Sequence, residues 1–323
     1  MSLTRLIKNH HELKLEFPNL KGFLTDQNDM MIKLSEREFP IRVPSIGKSF
    51  ECSLIGTAFD YAARGIVSKY LGRANVIKEK VLAAEYGLSA YNRAAGSMEF
   101  SPTGNEDIDK ERITGLNIIW NPKKNEIIKQ YLKDRFKSVM NTREMFSDGN
   151  SDLKSMVEGS IFLARLDEVY RDQSIQIVDE YFLEKTGRTY FGQYRTLSNE
   201  DMTDQVYSLC LIFESFLNNT RWNKAILGPE FGEYSEKVGG ADADLIVDDI
   251  LIDIKTRNKL SYKGDDFAQV FGYAAMARKI GINVSKVAIY YARFGVFASI
   301  RLDHPSLREN FLENYLQKII DIA

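Results

Sequence analysis

Asp242-Ala-Asp244-Leu-Ile-Val-Asp-Asp-Ile-Leu-Ile-Asp253-Ile-Lys255 is the stretch on which the fold of this chain turns. It reads as a tight β-hairpin. From Ala241 to Val247, Asp242, Asp244 and Ile246 fall on one side, and Ala243, Leu245 and Val247 on the other. From Ile250 to Lys255, Leu251, Asp253 and Lys255 share a face and Ile250, Ile252 and Ile254 take the opposite one. A two-residue turn at Asp248-Asp249 pairs Val247 with Ile250, Asp244 with Asp253 and Asp242 with Lys255. A four-residue turn on the same pair keeps this register, whereas a three-residue turn shifts it by one and separates the carboxylates. Directly paired residues lie on one side of a sheet, with Cβ atoms roughly 5 Å apart. Two carboxylates held face to face repel, and a cation between them removes that cost.

Outward from the hairpin, the chain of 323 residues is long enough for one large domain or two modest ones. A hydrophobic content of 44% with only 7 prolines suits a helix-rich globular protein with a sizeable core. The 43 basic and 45 acidic residues leave a net charge of −2, so a nucleic-acid partner would need a local basic surface. Cys52 and Cys210 are the only cysteines, which excludes a Cys₄ zinc or iron–sulfur site and suits a reducing compartment. Residues 1–20 carry no apolar h-region, and no apolar run approaches ~18 residues, so neither a signal peptide nor a membrane span is expected and the location expected is cytoplasmic.

Periodicity predicts helices over Leu54–Leu71, Val76–Ala94, Pro122–Met140, Asp152–Arg171, Ser174–Thr186, Asp201–Leu217, Asp265–Ile280 and Pro305–Ala323. Strands are expected at Lys286–Arg293 and Val296–Leu302, with shorter strand-like pieces around Glu38–Val43, and Met98–Asp109 reads as a loop. The expected fold is α/β: a small mixed central sheet flanked by helices, with a mostly helical N-terminal region at 1–200 and the core at 201–323. No linker separates the two, so the helical region is expected to pack on the core.

Gly239-Gly240-Ala-Asp-Ala-Asp244, then Ile252-Asp253-Ile254-Lys255-Thr256, then Gln269 and Tyr273 resemble the PD-(D/E)xK nuclease superfamily, most closely its RecB-like branch. The resemblance covers about 205–300. In that family a glycine-introduced strand ends in Asp, the facing strand carries an acid, one apolar residue and Lys, and the next helix carries Gln and Tyr one turn apart. It implies a restriction-endonuclease-like core and Mg²⁺- or Mn²⁺-dependent hydrolysis of phosphodiesters, DNA ahead of RNA, in restriction, repair or mobile-element defence. Asp244, Asp253 and the main-chain carbonyl of Ile254 are the implied metal ligands. Glu214, set in Leu209-Cys-Leu-Ile-Phe-Glu-Ser-Phe-Leu217, matches a Glu on the preceding helix that serves as a further ligand.

The chemistry has reasons of its own. Phosphodiester hydrolysis needs an activated water and compensation of charge on a pentavalent phosphorane, and Mg²⁺ supplies both through hard oxygen ligands. Lys255 shares a face with Asp253 and can orient the water or stabilise developing charge. Asp242 is expected opposite Lys255, as a support or further ligand. Gln269 and Tyr273 are i and i+4 on one helix face, placed to hold the lysine or contact the phosphate backbone.

Rival readings are weaker. Asp242, Asp244 and Asp253 occupy positions 1, 3 and 12 of an EF-hand loop, but Ile246 and Val247 stand where an oxygen ligand and Gly are needed. Gly47-Lys48-Ser49 mimics the end of a P-loop, but Arg42 replaces its leading Gly and Pro44 breaks it. Lys129, Lys133 and Lys137 are expected to form a solvated helix face, and His10, His11 and His304 to lie on the surface. An RNA- or junction-directed nuclease and a non-catalytic nucleic-acid or partner-binding module are the alternatives. The lack of a recognisable reader motif also leaves room for a protein partner that selects the target.

Overall fold

Among the described residues the hairpin is the centre of a six-stranded sheet. The computed structural model describes residues 3–10, 12–13, 20–35, 37–47, 49–78, 81–94, 122–172 and 199–323. The expected loop at Met98–Asp109 and helix at Ser174–Thr186 fall outside them. In chain order the elements are α1 (Leu3–Asn9), α2 (Ser49–Leu71), β1 (Val76–Ile77), α3 (Ala83–Ala94), α4 (Pro122–Ser147), α5 (Leu153–Asp172) and α6 (Asn199–Leu217). There follow β2 (Ala225–Leu227), α7 (Glu233–Lys237), β3 (Leu245–Val247), β4 (Ile250–Lys255), α8 (Gly264–Lys279), β5 (Lys286–Tyr291), β6 (Val296–Arg301) and α9 (Phe311–Ile322). The fold is α/β, a mixed sheet flanked by helices.

The strand order is β1-β2-β3-β4-β5-β6. β1 runs parallel to β2 and β4 parallel to β5, and the other neighbours are antiparallel. Parallel strands need a crossover, and α8 supplies it between β4 and β5. The KVAIYY sequence of β5 is buried over its last five positions, as expected of a strand covered on both faces. Beyond β6, Thr25 exchanges main-chain hydrogen bonds with Ser299 (2.9 and 2.8 Å) and so occupies that edge.

Val247 pairs with Ile250, Ile246 with Leu251 and Leu245 with Ile252. The turn is the two-residue Asp248-Asp249, with Asp248 at φ 52°. The ladder stops at Leu245, short of the expected strand, because the chain before it is pulled elsewhere. Gly239 and Gly240 adopt φ 72° and 116°, and Asp242 pairs in an isolated bridge with Glu230. No atom lies within 4 Å of where a Gly240 Cβ would stand, so Gly240→Ala tests backbone conformation alone. It is expected to cost about 1–2 kcal/mol in urea unfolding, the usual penalty of an L-residue at positive φ; an unchanged midpoint would contradict that conformation.

The chain forms two compact units whose division does not follow the expected boundary at residue 200. Met1–Pro44, Ile66–Glu79 and Leu211–Ala323 make the sheet unit; Ser45–Gly65 and Lys80–Cys210 make the helical one. The N-terminal residues join the sheet because α1 is amphipathic and buries Leu3, Leu6 and Ile7 in the cluster formed by α8 and α9. Gly272 of α8 admits α1: a Cβ there would stand 3.0 Å from Leu3 Cδ2.

Other boundaries shift by local causes. Val76 begins a two-residue strand rather than a helix, since Gly72 at φ 77° ends α2 and a short 3₁₀ turn follows. Glu38–Val43 is turn and bend, and the last helix starts at Phe311, not Pro305. In the helical unit α5 packs against α3 and α4. Tyr61 donates to Asp167 (3.1 Å) and accepts from the Ala84 amide (3.2 Å). Lys133 and Lys137 are exposed, and Lys129 pairs with Glu126, the solvated face expected of that stripe. Among the described residues no helix is long and apolar enough to cross a membrane.

Candidate active site

Registers across the sheet place Leu251, Asp253 and Lys255 beside Val287, Ile289 and Tyr291, on the face covered by α8. Asp253 is 4% exposed. Its Oδ2 lies 2.7 Å from Lys255 Nζ, an ion pair, and has no other partner among the described residues. Lys255 Nζ donates to Gln269 Oε1 (3.2 Å). Gln269 Nε2 donates to Tyr273 OH (2.7 Å) and to Thr4 Oγ1 (2.9 Å). Spacing four apart on α8 gives Gln269 and Tyr273 their common face.

Continuing the ladder from Leu245–Ile252 sets Asp244 opposite Asp253. Asp244 Oδ2 accepts the Ile254 N–H at 2.6 Å, taking over where the strand ladder ends. Within a strand the N–H and C=O of one residue point to the same lateral side. The Lys255 carbonyl accepts from Ala292 on the β5 side, so the Ile254 carbonyl points toward Asp244, past the end of β3.

Charge in this pocket is unbalanced. Burial pushes the Asp253 carboxyl above its usual range, against the pull of the Lys255 ammonium. Burial also opposes the ammonium of Lys255, but Asp253, with Asp266 and Asp244 behind it, outweighs that and holds it above its ordinary value. Lys255 therefore stays charged, and Asp253 is the member whose ionisation is costly. Burial likewise raises the Tyr273 phenol, and the nearby carboxylates add to it.

Two expected members are placed differently, although the charge of Asp242 still reaches the Tyr273 phenol. Asp242 is exposed and bridges to Glu230, so the ladder does not bring it opposite Lys255. Glu214 is half-buried on α6, whose Phe213 and Phe216 stack on Tyr290 (5.0 and 4.9 Å) and Phe297 (5.6 Å). Tyr290 alternates with Ile289 and Tyr291, so α6 covers the face opposite Asp253 and Lys255. Among the described residues, no group of three or more His, Cys, Asp or Glu is gathered as a metal cage.

The structure adds residues that sequence reasoning missed. Arg257 Nη2 pairs with Asp266 Oδ1 at 2.7 Å, and Asp266 is 7% exposed in the first turn of α8. Arg257 continues the alternation of Asp253 and Lys255, so a period of two could have found it. Thr4 left no such signal. The buried Arg293 donates from Nε to the Thr256 carbonyl (2.5 Å) and from Nη1 to the Val43 carbonyl (3.1 Å), fixing the exit of β4.

Comparison with family models, with curated proteins and with solved structures gave no match to this chain.

Proposed function

We propose that this chain is a metal-dependent nuclease of the PD-(D/E)xK kind, acting on DNA in the cytoplasm. The observation that carries the reading is the joining of Asp244, Asp253, Lys255, Gln269 and Tyr273 into one cluster on one sheet face. The order helix, hairpin, helix around them supports it too.

The residues fit a divalent cation. Asp253 Oδ2 is a buried oxygen held by the Lys255 ammonium at 2.7 Å and with no other partner among the described residues, Asp244 falls opposite it in register, and the Ile254 carbonyl points toward Asp244. Asp244, Asp253 and that carbonyl would hold Mg²⁺ or Mn²⁺; Mg²⁺ commonly uses only one or two carboxylates and keeps several waters. When bound, the ion lowers the pKa of a coordinated water and offsets charge on the phosphorane. Lys255 then orients the water or stabilises developing negative charge, and Gln269 fixes the direction of the ammonium. Exposed Lys259 and Lys263, on the segment between β4 and α8, offer a local basic surface beside the cluster.

The test is direct. Purified protein is incubated with supercoiled DNA, circular single-stranded DNA and RNA, each with Mg²⁺, Mn²⁺ or EDTA, beside Asp244→Ala. Cleavage of DNA with metal, none in EDTA and at least a 100-fold loss in Asp244→Ala are expected. Cutting of circles would show endonuclease action. Equal cleavage by the variant would expose a contaminant. Cleavage of RNA alone would move the substrate, and silence on every substrate would favour a non-catalytic binding module.

A further inference from the structure

We infer that Thr4, on α1, is a positioning residue of this site: it holds the Gln269 amide so that Oε1 meets Lys255. The inference rests on the nuclease reading for its consequence, not for its geometry. A glutamine amide offers two N–H donors and one carbonyl acceptor. Both donors of Gln269 are engaged, by Thr4 Oγ1 at 2.9 Å and Tyr273 OH at 2.7 Å, and the carbonyl takes the Lys255 ammonium at 3.2 Å. The opposite orientation would aim N–H groups at that ammonium, so the amide has one favourable setting. Gln269 is 8% exposed, which leaves little room for water to replace a lost partner.

The same helix reaches the other half of the site. The Leu3 N–H donates to the Gly240 carbonyl at 3.1 Å, where the chain turns into the Asp242–Asp244 arm. Leu3, Leu6 and Ile7 anchor α1 in the core beneath α8. α1 thus ties the helix bearing Gln269 and Tyr273 to the segment bearing Asp244.

The decisive variants are Thr4→Val, which keeps shape and removes the acceptor, and Thr4→Ser, which restores it. Cleavage should fall about 10-fold in kcat for Thr4→Val at unchanged KM, the size of a small misplacement of a catalytic group, and recover in Thr4→Ser. Separately, the Gln269 side-chain amide is followed by ¹⁵N NMR, assigned by its absence in Gln269→Met. Thr4→Val should release one of its two slowly exchanging protons, and Thr4→Ser should hold both. Identical amide protection in wild type and Thr4→Val, or no recovery in Thr4→Ser, would overturn the inference. An inactive wild type would end the nuclease reading, while the amide signals would still decide whether Thr4 holds Gln269.

Discussion

Lys255→Met is expected to remove cleavage and to weaken the fold together, and adding Asp253→Asn is expected to return the stability without the activity. Lys255 and Asp253 meet at 2.7 Å with side chains only 19% and 6% exposed. Removing one member leaves the other charge buried and unpaired, a loss of about 3 kcal/mol, at the low end for buried pairs because Lys255 keeps some solvent contact. The double variant removes both charges at nearly constant volume, which is commonly neutral or stabilising. Asp253 also sets a sign with pH. Its carboxyl is raised by burial, so its contribution to stability is present below the usual carboxylate range and lost as pH climbs through the raised value. The double variant should therefore gain on wild type between acid and neutral pH. Urea unfolding of wild type, Lys255→Met and the double variant at two pH values measures both effects. Cleavage should fall on the order of 10²–10³-fold in Lys255→Met, as for loss of one charge-stabilising group, and stay low in the double variant. A stable, active Lys255→Met would remove the lysine from the site.

Gly87→Ala is the second large effect, because two rules pull in opposite directions and one wins clearly. Gly87 lies within α3 at an ordinary helical φ, so alanine should help the helix by about 1 kcal/mol. But a Cβ there would stand 1.8 Å from the Leu166 carbonyl oxygen of α5 and 2.6 Å from its carbon. These are backbone atoms, and they cannot swing aside as the tip of Met156 can from Gly65. Overpacking of this severity costs about 3 kcal/mol or more, so net destabilisation of at least about 2 kcal/mol is expected by calorimetry or urea unfolding. A gain in stability would mean that α3 and α5 do not approach so closely.

Much of the sheet could be read from the sequence, and the reasons are local. The strict alternation on either side of Asp248-Asp249 sets both the register and the face of Asp253 and Lys255. The family resemblance singled out Gln269 and Tyr273, and helical spacing put them on one face. Asp242 misled because alternation continues in sequence after the ladder has ended; the glycines at 239 and 240 turn the chain first. Glu214 misled because an acid among apolar residues fixes burial of a helix, not which side of a sheet the helix covers. The place of α1 was out of reach for another reason: the partners of Leu3, Leu6 and Ile7 lie in the last third of the chain, and no periodicity encodes them.

That distance has a meaning in time. Thr4 and Gln269 are separated by 265 residues, and Leu3 packs beside Gly272 and Ile319. A ribosome delivers α1 well before α8 and α9, which cover it. Until they emerge, the greasy side of α1 waits without a seat and Thr4 has no Gln269 amide to hold. A nascent chain that has not yet released α8 and α9 would thus carry an uncovered α1 and an incomplete cluster around Lys255.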